Sequence, residues 1–299
     1  MAANRETPYK SSNHGDFKQI ESSRPTWEEA ATAPFQVIQT PDTAWTLGSG
    51  ANKTHNPNGH KHISIDPWAP GRHPMNNYKL CISAVVPRPI AFVSTRSKDG
   101  KVTNLAPFSF FNMVHADPPL FVLGLTTPLD TPNDTLHNLE ETGECVISIV
   151  TEGIVEAANA AGVNNPYGVS EWDASGLKPI YDCKTVSCAR PEEAVFSMEG
   201  KVESIREFNS KVFPGKKSGS LVVVEATHFW AREDAINEDR NLIDIEALRP
   251  ISRLGGISYG RTTQAFEIPR LDFEKDLGGA EGAKKLNKQQ EAKLANGLV

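Results

Sequence analysis

The stretch PIAFVSTRSKDGKVTNLAPFSFF, Pro89 to Phe111, restricts the possible folds more than any other part of the chain. Two runs rich in β-branched and aromatic residues flank Asp99-Gly100, a dipeptide that accepts the positive φ of a tight hairpin turn. The first run predicts a strand over Ile90–Thr95, with Pro87 and Pro89 confining its entry to an edge or a strand start. Val102 onward predicts the antiparallel return, so Thr95 and Asn104 fall near the same end of the hairpin. The return arm sets Phe108, Phe110 and Phe111 among Asn104, Pro107, Ser109 and Asn112. Such a run is either a core strand with polar interruptions or a surface shaped to hold something flat and aromatic.

Further strands follow from the same kind of pattern. PPLFVLGLT (Pro118–Thr126) and ECVISIV (Glu144–Val150) are nearly continuous apolar runs, as expected for strands covered on both faces. Between them TPNDTLHNLEETGE carries helix punctuation: Thr131 as cap, Pro132 in the first position, Asp134 in the third, Leu136 and Leu139 on one face, Gly143 as the stop. A helix start exposes unpaired N–H groups, and with the Thr135 hydroxyl beside it this one is either an anion site or a plain capped helix. VFSMEGKVESIREF and GSLVVVEATHFWARED form a long hairpin about the Lys211–Gly219 region, in which Glu225 and His228 are polar insertions. Paired structural groups are the plainer reading of those two, catalysis the sharper one.

Other features mainly exclude. At 299 residues the chain can bury a core without staples, and a net charge of −6 with a pI near 5.8 argues against a general nucleic-acid binder. No apolar run reaches membrane length and the first residues lack the basic-then-apolar order of a secretory signal, so the expected compartment is the cytoplasm. Cys81, Cys145, Cys183 and Cys188 read as reduced thiols, and the Cys183–Cys188 spacing makes a poor zinc site. HNPNGHKH, with His55, His60 and His62, reads as a solvated loop before it reads as a metal chelate, so no metal is assigned. PGKKSGS lacks phosphate-loop spacing, and no G-x-G-x-x-G follows a strand. By texture, residues 1–75 form a polar arm with isolated tryptophans, 76–268 the folded core, and 269–299 a charged tail. The residues alone give a mainly antiparallel β protein, barrel-like, with a few helices and no motif-marked catalytic group.

The order of blocks goes further. NYKLCISAVVPRPIAFVSTRSKDGKVTNLAPFSFFNMVHADPPLFVLGLT, NDTLHNLEETGECVISIV, YGVSEWDASGLKP and ISRLGGISYG together resemble the flavin reductase-like proteins of the FMN-binding split-barrel group, in its NTAB-type branch. The resemblance spans about Asn77 to Tyr259. It implies a six-stranded antiparallel Greek-key split β-barrel with a few flanking helices, a homodimer, and FMN bound in a groove at or near the dimer interface. It places the flavin among Ser94, Thr95, Asn104, Leu105, Ala106, Pro107, Ser109, Asp134 and Thr135. Hydroxyls and helix N–H groups suit the phosphate, and a strand edge interrupted by Pro107 leaves backbone groups for the ring. Phe110 and Phe111 point in opposite directions, so one can face the ring or a partner subunit while the other enters the core.

The resemblance also implies hydride transfer from NAD(P)H to FMN and then electron transfer to a second acceptor, with no side-chain nucleophile required. Two alternatives are an FMN oxidoreductase acting directly on an organic substrate and a non-catalytic flavin-binding protein. The chain departs from its relatives at Val224 and Trp230, where they often carry Gly and a second His. It departs again at Asn133, where many carry Lys, which removes a positive charge from the expected phosphate site; Arg88, Lys98 or Arg253 could replace it.

Overall fold

The computed structural model describes residues 17–27, 34–52 and 60–295. His55 lies outside the described residues. The chain divides into two compact units, one built on Pro67–Thr262, the other on Lys18–Asp66 together with Thr263–Val299. In the second unit Gln36–Ile38 pairs in parallel with Gln264–Phe266, and Gly279–Ala295 forms a helix. The part of the polar arm from Lys18 to Asp66 and the charged tail therefore belong to one unit, while the arm from Pro67 onward belongs to the other.

The first unit opens with helix α1 (Pro74–Ala84) and the short strand β1 (Arg88–Pro89). Strands β2 (Ala91–Arg96) and β3 (Thr103–Phe108) form the hairpin read from the sequence, with Gly100 at φ +73° in its turn and Thr95 directly opposite Asn104. Then come β4 (Phe111–Ala116), β5 (Pro119–Leu125), helix α2 (Asp134–Thr142), β6 (Glu144–Ile149), and the short helices α3 (Val155–Ala160) and α4 (Glu171–Ser175). The long hairpin is β7 (Phe196–Asn209) and β8 (Lys217–Ala231), followed by β9 (Ile251–Arg253) and β10 (Tyr259–Arg261).

Seven strands make one antiparallel sheet in the order β3-β2-β6-β7-β8-β5-β4, and β1, β9 and β10 make a smaller one. The two edge strands of the large sheet are consecutive in the chain, joined only by Ser109 and Phe110. Laid flat, seven strands would put those edges roughly 29 Å apart, whereas the link from Phe108 to Phe111 can span only about 10 Å. The sheet therefore curls until the edges adjoin, and the Gly124 N–H of β5 donates to the Phe110 carbonyl at 2.7 Å. A Cβ on Gly124 would sit 2.9 Å from that of Phe110, which explains the glycine. The strand count differs from the six implied by resemblance because Ser109-Phe110 divides one bent strand into two.

Side-chain alternation along β2 explains its uninterrupted apolar run. Ala91 and Val93 join a core with Leu123, Leu136, Ile147 and Met198, while Phe92 joins a second core with Leu105, Ala158 and Trp172. Full burial of a side chain such as Phe92 contributes about 1.5–3 kcal/mol. β6 is likewise covered on both faces, with Cys145 and Ile147 on one and Val146 on the other. β5 is not: Leu123 and Leu125 are buried, but Leu120, Phe121 and Val122 are only partly buried, so full burial is confined to the end of its apolar run. In α2, Leu136 and Leu139 are buried as their spacing requires and Gly143 closes the helix at φ +66°. The cap is Asn133 rather than Thr131: its Oδ1 accepts the Leu136 N–H at 2.9 Å, and Pro132 precedes the helix. Asn is among the strongest caps, and its extended backbone suits the position.

Candidate functional site

A cavity of about 220 Å³ opens where β3, the start of α2 and the loop after α3 meet. Its walls include Asn104, Ala106, Pro107 and Phe108 from β3, Asn133, Asp134 and Thr135 from the helix start, Ala161–Asn165, and Glu171. A second cavity of about 280 Å³ is lined by Ile90, Pro107, Ser109, Val150, Asn159 and Gly162 among others, with Arg253 and Tyr259. Pro107 and Gly162 line both, so the two form neighbouring compartments. Each alone falls below the roughly 300–1,000 Å³ of a drug-sized cleft; joined, they enter that range.

Beneath the first cavity runs a buried polar network. Asn104 Nδ2 donates to Thr135 Oγ1 at 2.8 Å and to Thr95 Oγ1 at 3.2 Å, and Asn138 Nδ2 donates to Thr95 Oγ1 at 3.1 Å. The Asn104 amide hydrogens are thus committed to two hydroxyls, and its side chain can offer a ligand only the carbonyl oxygen. In that bond Thr135 accepts, so its own hydroxyl hydrogen can serve a ligand acceptor.

Of the nine residues assigned by resemblance, the structure gathers Asn104, Ala106, Pro107, Asp134 and Thr135 on the first cavity and Ser109 on the second. Thr95 lies beneath the first cavity as the acceptor that holds Asn104 and Asn138. Ser94 is buried and lines neither cavity. The Leu105 side chain is in the core, and its N–H donates to Glu171 Oε2 at 3.3 Å. The phenylalanines divide their roles: Phe111 is buried and stacked on Phe121 at 6.0 Å, Phe110 is exposed and meets Tyr78 edge-on, and Phe108 lies between core and cavity.

Several groups were not assigned from the sequence. Glu171 reaches the cavity because Ser170 caps α4 and Thr103 on β3 bonds to that serine at 3.0 Å. Burial, with Asp134 nearby, raises the Glu171 pKa above the ordinary value, so this carboxyl keeps its proton to higher pH. Of the three candidate cations, Arg88 is committed to the carbonyls of Ile82, Val85 and Leu254. Lys98 lines neither cavity, and Arg253 lines only the second, not the one that contains Asn133, Asp134 and Thr135. The signal for the Arg253–Tyr259 pair was present: the two flank the turn of RLGGISY and are cross-strand partners.

Glu225 and His228 line neither cavity. The buried carboxylate of the long hairpin is instead Glu199, which accepts from the N–H groups of Lys184 and Thr185, the Thr185 hydroxyl and the Trp230 indole at 2.5–3.0 Å. Burial opposes its ionisation, but those bonds outweigh it and lower its pKa to about 2. Trp230 is thereby fixed, with the Arg190 guanidinium 4.6 Å from its ring centre. Among the described residues no group of three or more His, Cys, Asp or Glu could hold a metal ion, and His60 and His62 are exposed.

Residues 83–247, more than half of the chain, match the model of the flavin reductase like domain. The chain belongs to that family. An uncharacterized protein of Halalkalibacterium halodurans is 39% identical over 195 residues, covering 65% of this chain and 90% of the relative. The crystal structure of nitrilotriacetate monooxygenase component B from Bacillus cereus is similar at 32% identity and a TM-score of 0.65, covering 70% of this chain and 100% of that one. So is 2-nitrobenzoate 2-nitroreductase from Pseudomonas fluorescens, at 32% identity and a TM-score of 0.59, over 74% of this chain and 100% of that one. The mainly β architecture with its large antiparallel sheet is that of the flavin reductase family. No helix among the described residues is long and apolar enough to cross a membrane.

Proposed function

We propose that this chain is an FMN-binding oxidoreductase of the flavin reductase type, a cytoplasmic homodimer on a six-stranded Greek-key split barrel, with NAD(P)H as reductant. The observation that carries the reading is the convergence of Asn104, Ala106, Pro107, Asp134 and Thr135 on one cavity in a member of this family. The residues present fit a flavin nucleotide. Thr135 can donate its hydroxyl hydrogen to a phosphate oxygen beside the N–H groups at the start of α2. Pro107 contributes no N–H, and β3 has no sheet partner on its outer side, so backbone groups there can meet a polar ring edge. Burial raises the Glu171 pKa, which shifts this carboxyl toward its neutral form beside Asp134 and the phosphate. Bound FMN supplies a ring that takes hydride from a reduced nicotinamide and passes electrons to a second acceptor. The side chains bind, orient and exclude water; none has to act as a nucleophile.

A direct test is FMN binding by the purified protein, followed by NAD(P)H oxidation with and without added flavin. The reading requires both a flavin complex and turnover. A complex without turnover would leave a non-catalytic flavin protein. The second cavity, next to the first, favours one further reading, an FMN oxidoreductase acting directly on an organic substrate.

A further inference from the structure

No lysine or arginine is among the described residues that line the first cavity. Asn133 is neutral, Arg88 is spent on three backbone carbonyls, and Lys98 and Arg253 lie off this wall. The ionisable residues that do line it are acids, Asp134 at the start of α2 and Glu171 on α4. Glu171 is 5% exposed and is held by the Leu105 N–H, which donates to its Oε2 at 3.3 Å. Its surroundings bring no fixed positive charge: β3 has no titratable side chain, α3 has only Glu156 and α4 adds Asp173. Beyond Asp134, α2 adds His137, Glu140 and Glu141, with Tyr167 edge-on to the His137 ring at 5.2 Å. Donors at the helix start are few and uncharged. Of the first four N–H groups of α2, those of Leu136 and His137 already bond to Asn133, so at most two amides join the Thr135 hydroxyl. Neutral donors meet a singly charged phosphate, whereas a dianion beside carboxylates needs a cation. Like charges repel over several ångströms, so these acids act on a phosphate here without touching it.

We infer that Glu171, with Asp134, is a specificity-determining residue for ligand charge: the cavity takes FMN with a singly charged phosphate in preference to the dianion. This rests on the proposed FMN site and deepens it. A phosphate monoester loses its second proton at about pH 6. Burial raises the Glu171 pKa, so raising the pH adds negative charge to both groups. The test titrates the flavin-free full chain with FMN and, as an uncharged control, riboflavin, by fluorescence at pH 5.5 and pH 8 and constant ionic strength. The preference for FMN over riboflavin should fall about threefold or more between those two conditions. Glu171→Gln keeps an oxygen for the Leu105 N–H; it should bind FMN at pH 8 about threefold or more tighter than the unaltered chain and flatten the pH dependence, with riboflavin affinity within about twofold. Asp134→Asn should act in the same direction, and it carries the test if the glutamine variant does not fold. A packing defect moves both flavins together, so their ratio isolates the charge. A preference for FMN that holds steady or rises with pH overturns the inference. So does weaker FMN binding by Glu171→Gln with riboflavin unaffected, because Glu171 then serves the phosphate. If neither flavin binds, the FMN site and this inference fall together; if both bind with a ratio that ignores pH, only the inference falls.

Discussion

Glu199→Gln tests how the long hairpin is held. The carboxylate is fully buried and takes hydrogen bonds from two backbone N–H groups, a hydroxyl and an indole. Its pKa falls from 4.5 to about 2, a difference of roughly 2.5 units, worth about 3 kcal/mol at 1.36 kcal/mol per unit. Because the folded pKa is depressed, this stability is fully present above pH 4.5 and is lost as the pH falls toward 2. Glutamine matches the shape but turns an NH₂ toward donors. Urea unfolding at pH 7 should therefore show the variant about 3 kcal/mol less stable, or about 6–12 °C lower in Tm for a unit of this size. The gap should narrow as the pH is lowered from 4.5 toward 2, because the unaltered chain alone has that contribution to lose. A gap below about 1 kcal/mol at pH 7, or one that does not change with pH, would refute the reasoning.

Three other outcomes follow from the geometry. Thr135→Val removes the hydroxyl proposed to meet the FMN phosphate, and loss of a hydrogen bond to a charged group predicts roughly tenfold or more weaker FMN binding by fluorescence titration; Thr135→Ser should restore most of it, and unchanged affinity in the valine variant would remove the phosphate role. Gly162→Val places bulk on the wall shared by both cavities, where a Cβ already comes within 3.1 Å of the Asn159 carbonyl and 3.7 Å of Pro107 Cγ; FMN affinity should drop while near-ultraviolet circular dichroism stays native. Burial raises the pKa of Cys145, and burial with nearby carboxylates pushes Cys183 and Cys188 up to about 12, whereas Cys81 is exposed. A thiol reagent at pH 8 should accordingly label one cysteine in the native chain and four after unfolding, and rapid native labelling of three would contradict the burial.

The sequence made the local structure legible where one segment carries its own signals. The Asp99-Gly100 turn fixed the register that sets Thr95 against Asn104, and Leu136, Leu139 and Gly143 read correctly as a helix face and its stop. The cap was misread because Thr131 and Asn133 both suit the role, and only the backbone shows which has the extended conformation next to the first helical residue. The curl of the sheet was not readable strand by strand. It follows from the two residues between edge strands, and that requires knowing which strands are edges. At the site, Asn104, Pro107 and Thr135 were named through resemblance, since nothing in their spacing shows that β3 and α2 meet. Glu171 and the partners of Glu199 stayed hidden because they are long-range: Leu105 meets Glu171 across 66 positions, and Trp230 meets Glu199 across 31. Polar residues in apolar runs marked Glu225 and His228 just as strongly, and only burial distinguishes Glu199 from them.

We propose that FMN sits in the cavity between β3 and the start of α2. The most direct measurement is a titration of flavin-free protein with FMN, followed by absorbance and fluorescence after gel filtration. The expected result is a yellow protein that retains flavin near one per chain, with the affinity lowered by Thr135→Val. A colourless protein that leaves FMN fluorescence unchanged at every concentration tested would contradict it.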